Sequence, residues 1–395
     1  MRILMAITYY KPYVSGLTVY VERLSNALVG LGHEVTILTS QFDGTLAPRE
    51  VQNDVQIVRV PVASRLSKAV LMPSYTATAA RLLRDHDLVN MHLPQPESAA
   101  LGCIARFIAH RPIVVTYHCD LNLPASLLNR AIDEVAFVNN WITGRLADTI
   151  VAYTDDYARH SRFLSGFRSK QHVIPPPVTI PTPDPRSVAS LRSRLDLGEA
   201  RIIGFAARFA TEKGVEVLLD SLPAIESQVG EVRVLFAGPY EDVIGEEEYR
   251  ARLGPRIEAL GRAWTFLGTL SSQELANFYS ICDVTVLPSI NSTESFGMVQ
   301  VEAMATGTPV CATDLPGVRV PIQTTGMGLI VPVGDSERLA CAIVEIVRDR
   351  NRYIRPRDQI EAAFSVERTV SEYVALYESI TLDAEGKERA PEVPV

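Results

Sequence analysis

Two carboxylates and a predicted helix start occur together in the segment NSTESFGMVQVEAMATGTPVCAT. Glu294 lies just before the helix and Glu302 lies inside it, with seven residues between them. If the helix begins near Gly297, the amides of Gly297, Met298 and Val299 lack partners inside the helix and form a positive-ended anion site. Glu302 would then lie about one turn after Met298 on the same face. The segment could therefore bind a phosphate, a ribose and a sugar hydroxyl.

A purely structural role is the alternative for both acids. Glu294 would then be an acid favoured at a helix N-terminus, and Glu302 a solvated helical residue. The sequence after Glu302 argues against this, because residues 303–306 continue an apolar helix that Gly307 and Pro309 end before the run VCAT. An idle carboxylate beside such a packed face would be costly.

A second pair of charged residues, Arg208 and Lys213, occurs in RIIGFAARFATEKG. Arg208 follows a predicted strand, and Lys213 precedes the predicted helix GVEVLLDSLPAIE. Because a lysine opposes the dipole at a helix N-terminus, a negative group should lie nearby. That group is either Glu212, another surface carboxylate, or an anionic ligand.

The two acids and the helix start resemble the Glu, seven residues, Glu signature of retaining GT-B glycosyltransferases, glycosyltransferase family 4 in particular. The resemblance implies that Glu294 contacts hydroxyls of the donor sugar and that Glu302 holds the nucleotide ribose. It also implies that the amides of Met298 and Val299, beside Gly297, meet the phosphates.

Three residues of the second half gain roles from the same resemblance. Arg208 and Lys213 match the cations that clasp the diphosphate in the family. Gly268, in the stretch FLGTLSSQEL, is expected to flank the nucleobase, which the family reads largely through backbone.

The first half contributes a glycine and a histidine. Gly16, in TYYKPYVSGLTVYVERL, would let the backbone approach a ligand, although a simple strand-to-helix turn is the alternative. Family members often carry two glycines here, and Ser15 in this chain leaves only Gly16 assigned. His118, after the strand in VVTYHCDL, matches a histidine that faces the donor sugar, with a structural histidine as the alternative. His92 and Glu97 are candidate groups on the acceptor side.

Short β-branched runs that alternate with helical stretches must position these residues, and such alternation is typical of βαβ units in parallel sheets. The runs are RILMAI, HEVTILTS, PIVVTYH and DTIVAYT, then RIIGFAA, RVLFAG, DVTVLPS and TPVCAT. The proline-rich segment VIPPPVTIPTPDP separates the two series. We therefore expect an α/β protein with two domains built on parallel sheets. The resemblance implies that these are the two Rossmann-like domains of the GT-B class, whose parallel sheets face an interdomain cleft.

The predicted boundaries follow from these breaks. An N-terminal Rossmann-like acceptor domain spans residues 1–180, and a C-terminal nucleotide-sugar donor domain spans 181–366. Apolar residues that recur at helical spacing predict a closing amphipathic helix over 367–382. The resemblance to the family implies that this helix crosses back to the first domain. The polar residues 383–395 are expected to form a mobile tail.

Composition excludes several classes of protein. Five scattered cysteines without a C-x-x-C pair argue against a disulfide framework or a zinc site and favour a reducing cytoplasm. The start of the chain lacks a signal-peptide pattern, and no run is long and apolar enough to span a membrane, so we expect a cytoplasmic protein, peripheral at most.

Charge is unevenly distributed along the chain. Residues 1–180 carry 17 Lys and Arg against 14 Asp and Glu, whereas the remainder carries 21 against 32. The positive first half either meets an anionic partner or the inner membrane face, or is an ordinary solvated surface. A nucleic-acid partner is not expected of an acidic chain without a basic, aromatic patch.

The resemblance implies a retaining transferase that moves a sugar from a nucleoside-diphosphate donor to a carbohydrate, lipid-linked or small-molecule acceptor. No metal or other cofactor is expected, because Arg208 and Lys213 would stabilise the leaving group, and Asp85 and Asp87 lie at a helix end. A GT-B epimerase, a phosphorylase and a non-catalytic sugar-nucleotide-binding protein stay open as alternatives.

Overall fold

The computed structural model describes residues 1–66, 69–122 and 127–389, and the chain divides into two units. The first unit comprises Met1–Pro177 and Val366–Val395, and the second comprises Val178–Ser365. Val178 and Ser365, the first and last residues of the second unit, form a parallel bridge. The chain therefore enters and leaves the second unit at adjacent positions.

The first unit is built on eight strands of one sheet. Its strands are β1 (Arg2–Ala6), β2 (Glu34–Gln41), β3 (Arg49–Gln52), β4 (Val55–Pro61), β7 (Leu88–Leu93), β8 (Ile113–Tyr117), β9 (Thr149–Ala152) and β10 (Gln171–Val173), with β5 (Ser64–Leu66) and β6 (Ala69–Leu71) forming a separate hairpin. Its helices are α1 (Gly16–Gly30), α2 (Tyr75–Arg84), α3 (Ser98–Ile104), α4 (Leu127–Leu146) and α5 (Asp155–His160). A π-helical turn, Ala105–Ala109, extends α3, and a 3-10 segment spans Leu164–Lys170.

Strand order in this sheet is β10-β9-β8-β7-β1-β2-β4-β3, and all neighbours are parallel except β3 and β4. Every residue of β7 and β8 is buried, as expected for central parallel strands. After β1, the strands β2, β3 and β4 are added on one side of β1, and β7 is then added on the other side. The first sheet therefore has a topological switch point between β1 and β7.

The second unit repeats the design with six parallel strands. Its strands are β11 (Arg201–Ala206), β12 (Val232–Ala237), β13 (Trp264–Gly268), β14 (Val284–Leu287), β15 (Val310–Thr313) and β16 (Gly328–Val331). Its helices are α6 (Pro185–Arg194), α7 (Val215–Val229), α8 (Glu247–Glu258), α9 (Ser272–Ile281), α10 (Met298–Ala305), α11 (Val320–Thr325), α12 (Ser336–Arg348) and α13 (Arg357–Phe364). The order β13-β12-β11-β14-β15-β16 places the switch point between β11 and β14.

A last helix, α14 (Val366–Arg389), packs on the first unit through buried hydroxyl groups. The Tyr373 hydroxyl lies 2.7 Å from that of Tyr20 and 2.9 Å from that of Thr116. The Asn90 amide donates to the Tyr377 hydroxyl at 2.7 Å. These bonds attach α14 to α1, β7 and β8.

The end of α14 differs from the sequence prediction. The helix continues through residues 383–389, which were expected to begin a mobile tail. Alanine, glutamate, lysine and arginine in DAEGKER are good helix formers, so the segment extends a helix that is already nucleated. Residues 390–395 lie outside the described residues. Among the helices that the structure describes, none combines the length and apolar character needed to cross a membrane.

Candidate active site

The charged residues of the second unit gather at its switch point. Arg208 and Lys213 follow the carboxyl end of β11, and Glu294 follows that of β14. These two strands are neighbours, and ligands of open α/β sheets bind outside the carboxyl ends of strands at such a point.

A close backbone approach brings the two loops together. The Ile290 amide donates to the Glu212 carbonyl oxygen at 3.0 Å. Gly214 has φ +64° and lies so close to the second loop that a Cβ there would be 2.1 Å from the Pro288 carbonyl oxygen. Only glycine fits both the backbone angle and this contact. Lys213, the preceding residue, is thereby placed beside the loop that carries Glu294.

Lys213 and Glu294 form an ion pair with 2.5 Å between Nζ and Oε2. Their side chains are only 17% and 14% exposed, so the pair is largely withdrawn from solvent. Arg208 makes a similar bond to its neighbour, Glu212, at 2.8 Å. The negative group expected beside Lys213 is thus Glu294, and Glu212 serves Arg208.

The start of α10 lies in the same region of the chain. Gly297 takes the N-cap position with φ +77°, and a Cβ there would lie 2.4 Å from the Leu287 side chain and 2.7 Å from the Gln300 amide. Helix α10 then begins at Met298, close to the predicted start. The amides of Met298 and Val299 occupy the first helical positions, where backbone donors have no acceptor within the helix.

Glu302 lies inside α10 and is 3% exposed. The Tyr279 hydroxyl, from α9, donates to Glu302 Oε2 at 3.0 Å. The structure therefore holds the second carboxylate in a fixed, buried position. Gly268 ends β13, and its carbonyl oxygen accepts the Gly238 amide at 2.8 Å.

In the first unit, Gly16 is the first residue of α1. Ser15 caps this helix, because its hydroxyl accepts the Thr18 amide at 3.2 Å and its own amide donates to the Thr18 hydroxyl at 2.7 Å. The residue that departs from the family pattern therefore has a clear structural role.

His118 belongs to a buried cluster at the ends of β7 and β8. Its Nε2 lies 2.9 Å from His92 Nδ1, and the Tyr153 hydroxyl bonds to its Nδ1. Burial lowers the pKa of His92 to about 3, and burial together with the neighbouring His92 lowers that of His118 well below its usual value. Both shifts favour the neutral form of the imidazole. Because both ring nitrogens of His118 have partners within the first unit, its contact with a donor sugar stays a prediction.

Glu97 occupies the N-cap position of α3 but makes no side-chain bond to the amides of that helix. Burial raises the pKa of its carboxyl to about 7, against the lowering effect of hydrogen bonds from its own amide and from Gln95. Asp87, one of the two acids at the end of α2, accepts the Arg2 amide at 2.7 Å.

Sequence reasoning missed Tyr279, Glu212 as the partner of Arg208, and Tyr153. Tyr279 and Tyr153 meet Glu302 and His118 because separate elements of the fold pack together. Glu212 meets Arg208 through the orientation of the two side chains.

Comparison with known proteins gives matches to both units. The family model described as glycosyl transferases group 1 matches residues 190–365, and that described as glycosyl transferase 4-like domain matches residues 15–177. A phosphatidyl-myo-inositol mannosyltransferase of Mycobacterium leprae is 28% identical over 96% of this chain and 97% of its own length. A D-inositol 3-phosphate glycosyltransferase of Corynebacterium urealyticum is 27% identical over 95% and 94%.

A solved structure shares the whole fold. The Anabaena protein Alr3699/HepE, in complex with UDP and glucose, superposes with a TM-score of 0.79 at 21% identity and covers 95% of this chain and 99% of its own.

Proposed function

Because the chain belongs to glycosyltransferase family 4 and has the GT-B fold, we propose that it transfers a sugar from a nucleoside-diphosphate donor to a hydroxyl group with retention of configuration. In this reaction the bond between C1 of the sugar and the diphosphate oxygen breaks. A bond from C1 to the acceptor oxygen forms on the same face, and the acceptor proton leaves with the diphosphate.

The observation that carries this proposal is the convergence of Lys213, Glu294 and the start of α10 beside the switch point of the second unit. We assign the diphosphate to Lys213, Arg208 and the first amides of α10. These groups supply positive potential where charge develops on the leaving group, so a metal ion is not required. No protein nucleophile is needed.

The two carboxylates would bind neutral parts of the donor. Glu302, held by Tyr279, would accept a hydrogen bond from the ribose, and Glu294 from a hydroxyl of the sugar. Gly268 would lie beside the base. In the first unit, Gly16 and His118 would complete the contacts to the donor.

The relatives suggest which substrates to test first. One in Mycobacterium tuberculosis, 25% identical over 89% of this chain and 91% of its own length, is named as GDP-mannose-dependent, and it and the relatives above are named for inositol-containing acceptors. We therefore propose a hexose donor, with GDP-mannose first, and an acceptor that carries an inositol ring, whether free, phosphorylated or lipid-linked. A lipid-linked acceptor would bring the chain to the inner membrane face as a peripheral protein.

The test begins with thermal shifts for UDP, GDP, ADP and their sugars, since a ligand that binds only the native state raises its stability. The stabilising donor is then incubated with inositol acceptors, with and without EDTA, and the product anomer is assigned by proton NMR. Transfer in EDTA with the donor's anomeric configuration is the expected result. An inverted product, or activity that EDTA abolishes and Mg²⁺ restores, would contradict the proposal, and phosphate-dependent release of sugar would favour a phosphorylase.

A further inference from the structure

A three-residue turn carries Lys213 between strand β11 and helix α7. This 3-10 turn spans Thr211–Lys213 and ends at Gly214. Within it, the Lys213 amide donates to the Ala210 carbonyl oxygen at 2.9 Å, and the Gly214 amide donates to the Thr211 carbonyl oxygen at 3.3 Å. Such short turns have poor hydrogen-bond geometry of their own, so contacts to other elements must determine their orientation.

Glu246 supplies such a contact to the first residue of the turn. Its Oε2 accepts the Thr211 amide at 2.9 Å and the Thr211 hydroxyl at 2.8 Å. Glu246 is 6% exposed, so both bonds are shielded from water. Hydrogen bonds to an ionised acceptor are about twice as strong as those between neutral groups, so this carboxylate holds Thr211 firmly.

The side chain of Glu246 serves the turn and not its own helix. Glu246 occupies the N-cap position of α8, where a side-chain oxygen usually accepts an amide of the first helical turn. It makes no such bond, and its oxygen instead meets Thr211, which lies 35 residues earlier in the chain. The local benefit of a capped helix is thus replaced by a long-range contact to the loop after β11.

Helix α8 also supports the chain just after the turn. The Tyr249 hydroxyl accepts the Val215 amide at 3.1 Å and donates to the Glu216 carboxylate. Val215 is the first residue of α7, so this contact fixes the start of that helix and leaves the turn itself to Glu246.

The position of the turn determines where the Lys213 ammonium lies. The Lys213 side chain is only 17% exposed and is bonded to Glu294, so it lies in a confined space and its stem has little freedom to compensate for a backbone shift. A displaced turn would therefore displace the ammonium from the place where a ligand meets it. A displacement of about 1 Å is enough to lower the efficiency of a preorganised group strongly.

We propose that Glu246 is a positioning residue for the donor diphosphate, which acts through Lys213 and does not touch the substrate. This inference rests on the proposed glycosyl transfer. The two bonds to Thr211 hold the turn in the orientation that presents Lys213 before the nucleotide arrives, so binding does not have to order the turn.

The test is a double-mutant cycle on nucleotide binding. Calorimetry gives the Kd of UDP or GDP, whichever the thermal shifts select, for the wild type, Glu246→Ala, Lys213→Ala and the double variant. We expect Glu246→Ala to weaken binding about 5- to 30-fold. Because Glu246 acts through Lys213, the same replacement should change the Kd less than twofold when Lys213 is already alanine.

Two further variants separate positioning from charge and from general stability. Glu246→Gln keeps a neutral acceptor oxygen and should recover part of the lost affinity. Glu248→Ala removes one negative charge from an exposed position in the same first turn of α8 and should bind like the wild type. If Glu246→Ala does not fold, Glu246→Gln takes its place in the cycle.

Three results would overturn the inference. They are an unchanged Kd in Glu246→Ala, losses that add in the double variant, and tighter binding by Glu246→Ala, which would mean that the carboxylate only repels phosphate. If the wild type binds none of the nucleotides, the proposed transfer itself fails. Hydrogen exchange of the Thr211 and Lys213 amides then decides whether Glu246 positions the turn, by faster exchange in Glu246→Ala or by no change.

Discussion

Replacing Glu294 with glutamine should separate the two tasks assigned to the Lys213–Glu294 pair. In the structure, Lys213, which we assign to the diphosphate, is bonded to Glu294 with 2.5 Å between Nζ and Oε2. At an effective dielectric constant of about 20, the direct attraction at that distance is about 6–7 kcal/mol. Desolvation and residual solvent exposure cancel most of it, which leaves a net effect of about 1–2 kcal/mol. A nucleotide whose diphosphate replaces Glu294 as the partner of Lys213 must overcome this net free energy.

We therefore expect Glu294→Gln to bind bare UDP or GDP about 5- to 30-fold more tightly, because Lys213 is no longer neutralised. Turnover of the sugar donor should fall about 10²–10³-fold, because the sugar loses a preorganised partner. Isothermal titration calorimetry at physiological ionic strength measures the first quantity, and a transfer assay the second.

Glu216→Gln is the matched control for this experiment. It removes one negative charge from the first turn of α7, where Glu216 bonds to Tyr249 and Arg252, and it leaves the Lys213 pair intact. Its nucleotide affinity should equal that of the wild type. The reasoning is refuted if Glu216→Gln tightens binding equally, or if Glu294→Gln weakens it as strongly as Lys213→Ala does.

Three further outcomes follow from the same geometry. Glu302→Ala should weaken nucleotide binding by about 1–3 kcal/mol in calorimetry, since the ribose loses a charged partner, and an unchanged affinity would remove Glu302 from the site. Arg208→Lys should lower kcat nearly as much as Arg208→Ala, because an ammonium does not reproduce a guanidinium that bonds two phosphate oxygens, and full activity of the lysine variant in steady-state assays would show that charge alone suffices. Burial holds the pKa of His92 near 3 and that of His118 well below 6.5, so the unfolded chain binds more protons in acid, and stability should be complete above about pH 6.5 and decline toward pH 3. Urea unfolding should show a loss of about 2–3 kcal/mol at pH 4.5 from His92, and His92→Gln should remove that part of the pH dependence.

Several features of the fold were accessible from the sequence because they depend on local patterns. The β-branched runs became β1, β2, β8, β9, β11, β12, β14 and β15. The start of α10 after Gly297 was accessible as well, since a glycine directly before an apolar helical run is a local signal. Short strands with weaker patterns, such as β3 and β10, were not recognised.

The pairings of the site depend on which strands become neighbours, and local patterns do not determine that. His92 and His118 are 26 residues apart and meet because β7 pairs with β8. Lys213 and Glu294 are 81 residues apart and meet because β11 pairs with β14. The burial of Glu97 has the same origin, because an acid in the polar stretch LPQPES gives no sign that the fold will enclose it.

The attachment of α14 to the first unit has a consequence for synthesis on the ribosome. The second unit is one continuous stretch, so it can fold as soon as its last strand and helices emerge. The first unit is finished only when Tyr373 and Tyr377 arrive, after the whole second unit has been synthesised. Until then the Tyr20 hydroxyl, the Asn90 amide and the Thr116 hydroxyl lack their partners from α14, and the apolar surface around them stays open to water. At about 5–20 residues per second, synthesis of the second unit, Val178–Ser365, by itself adds about 10–40 s to this interval.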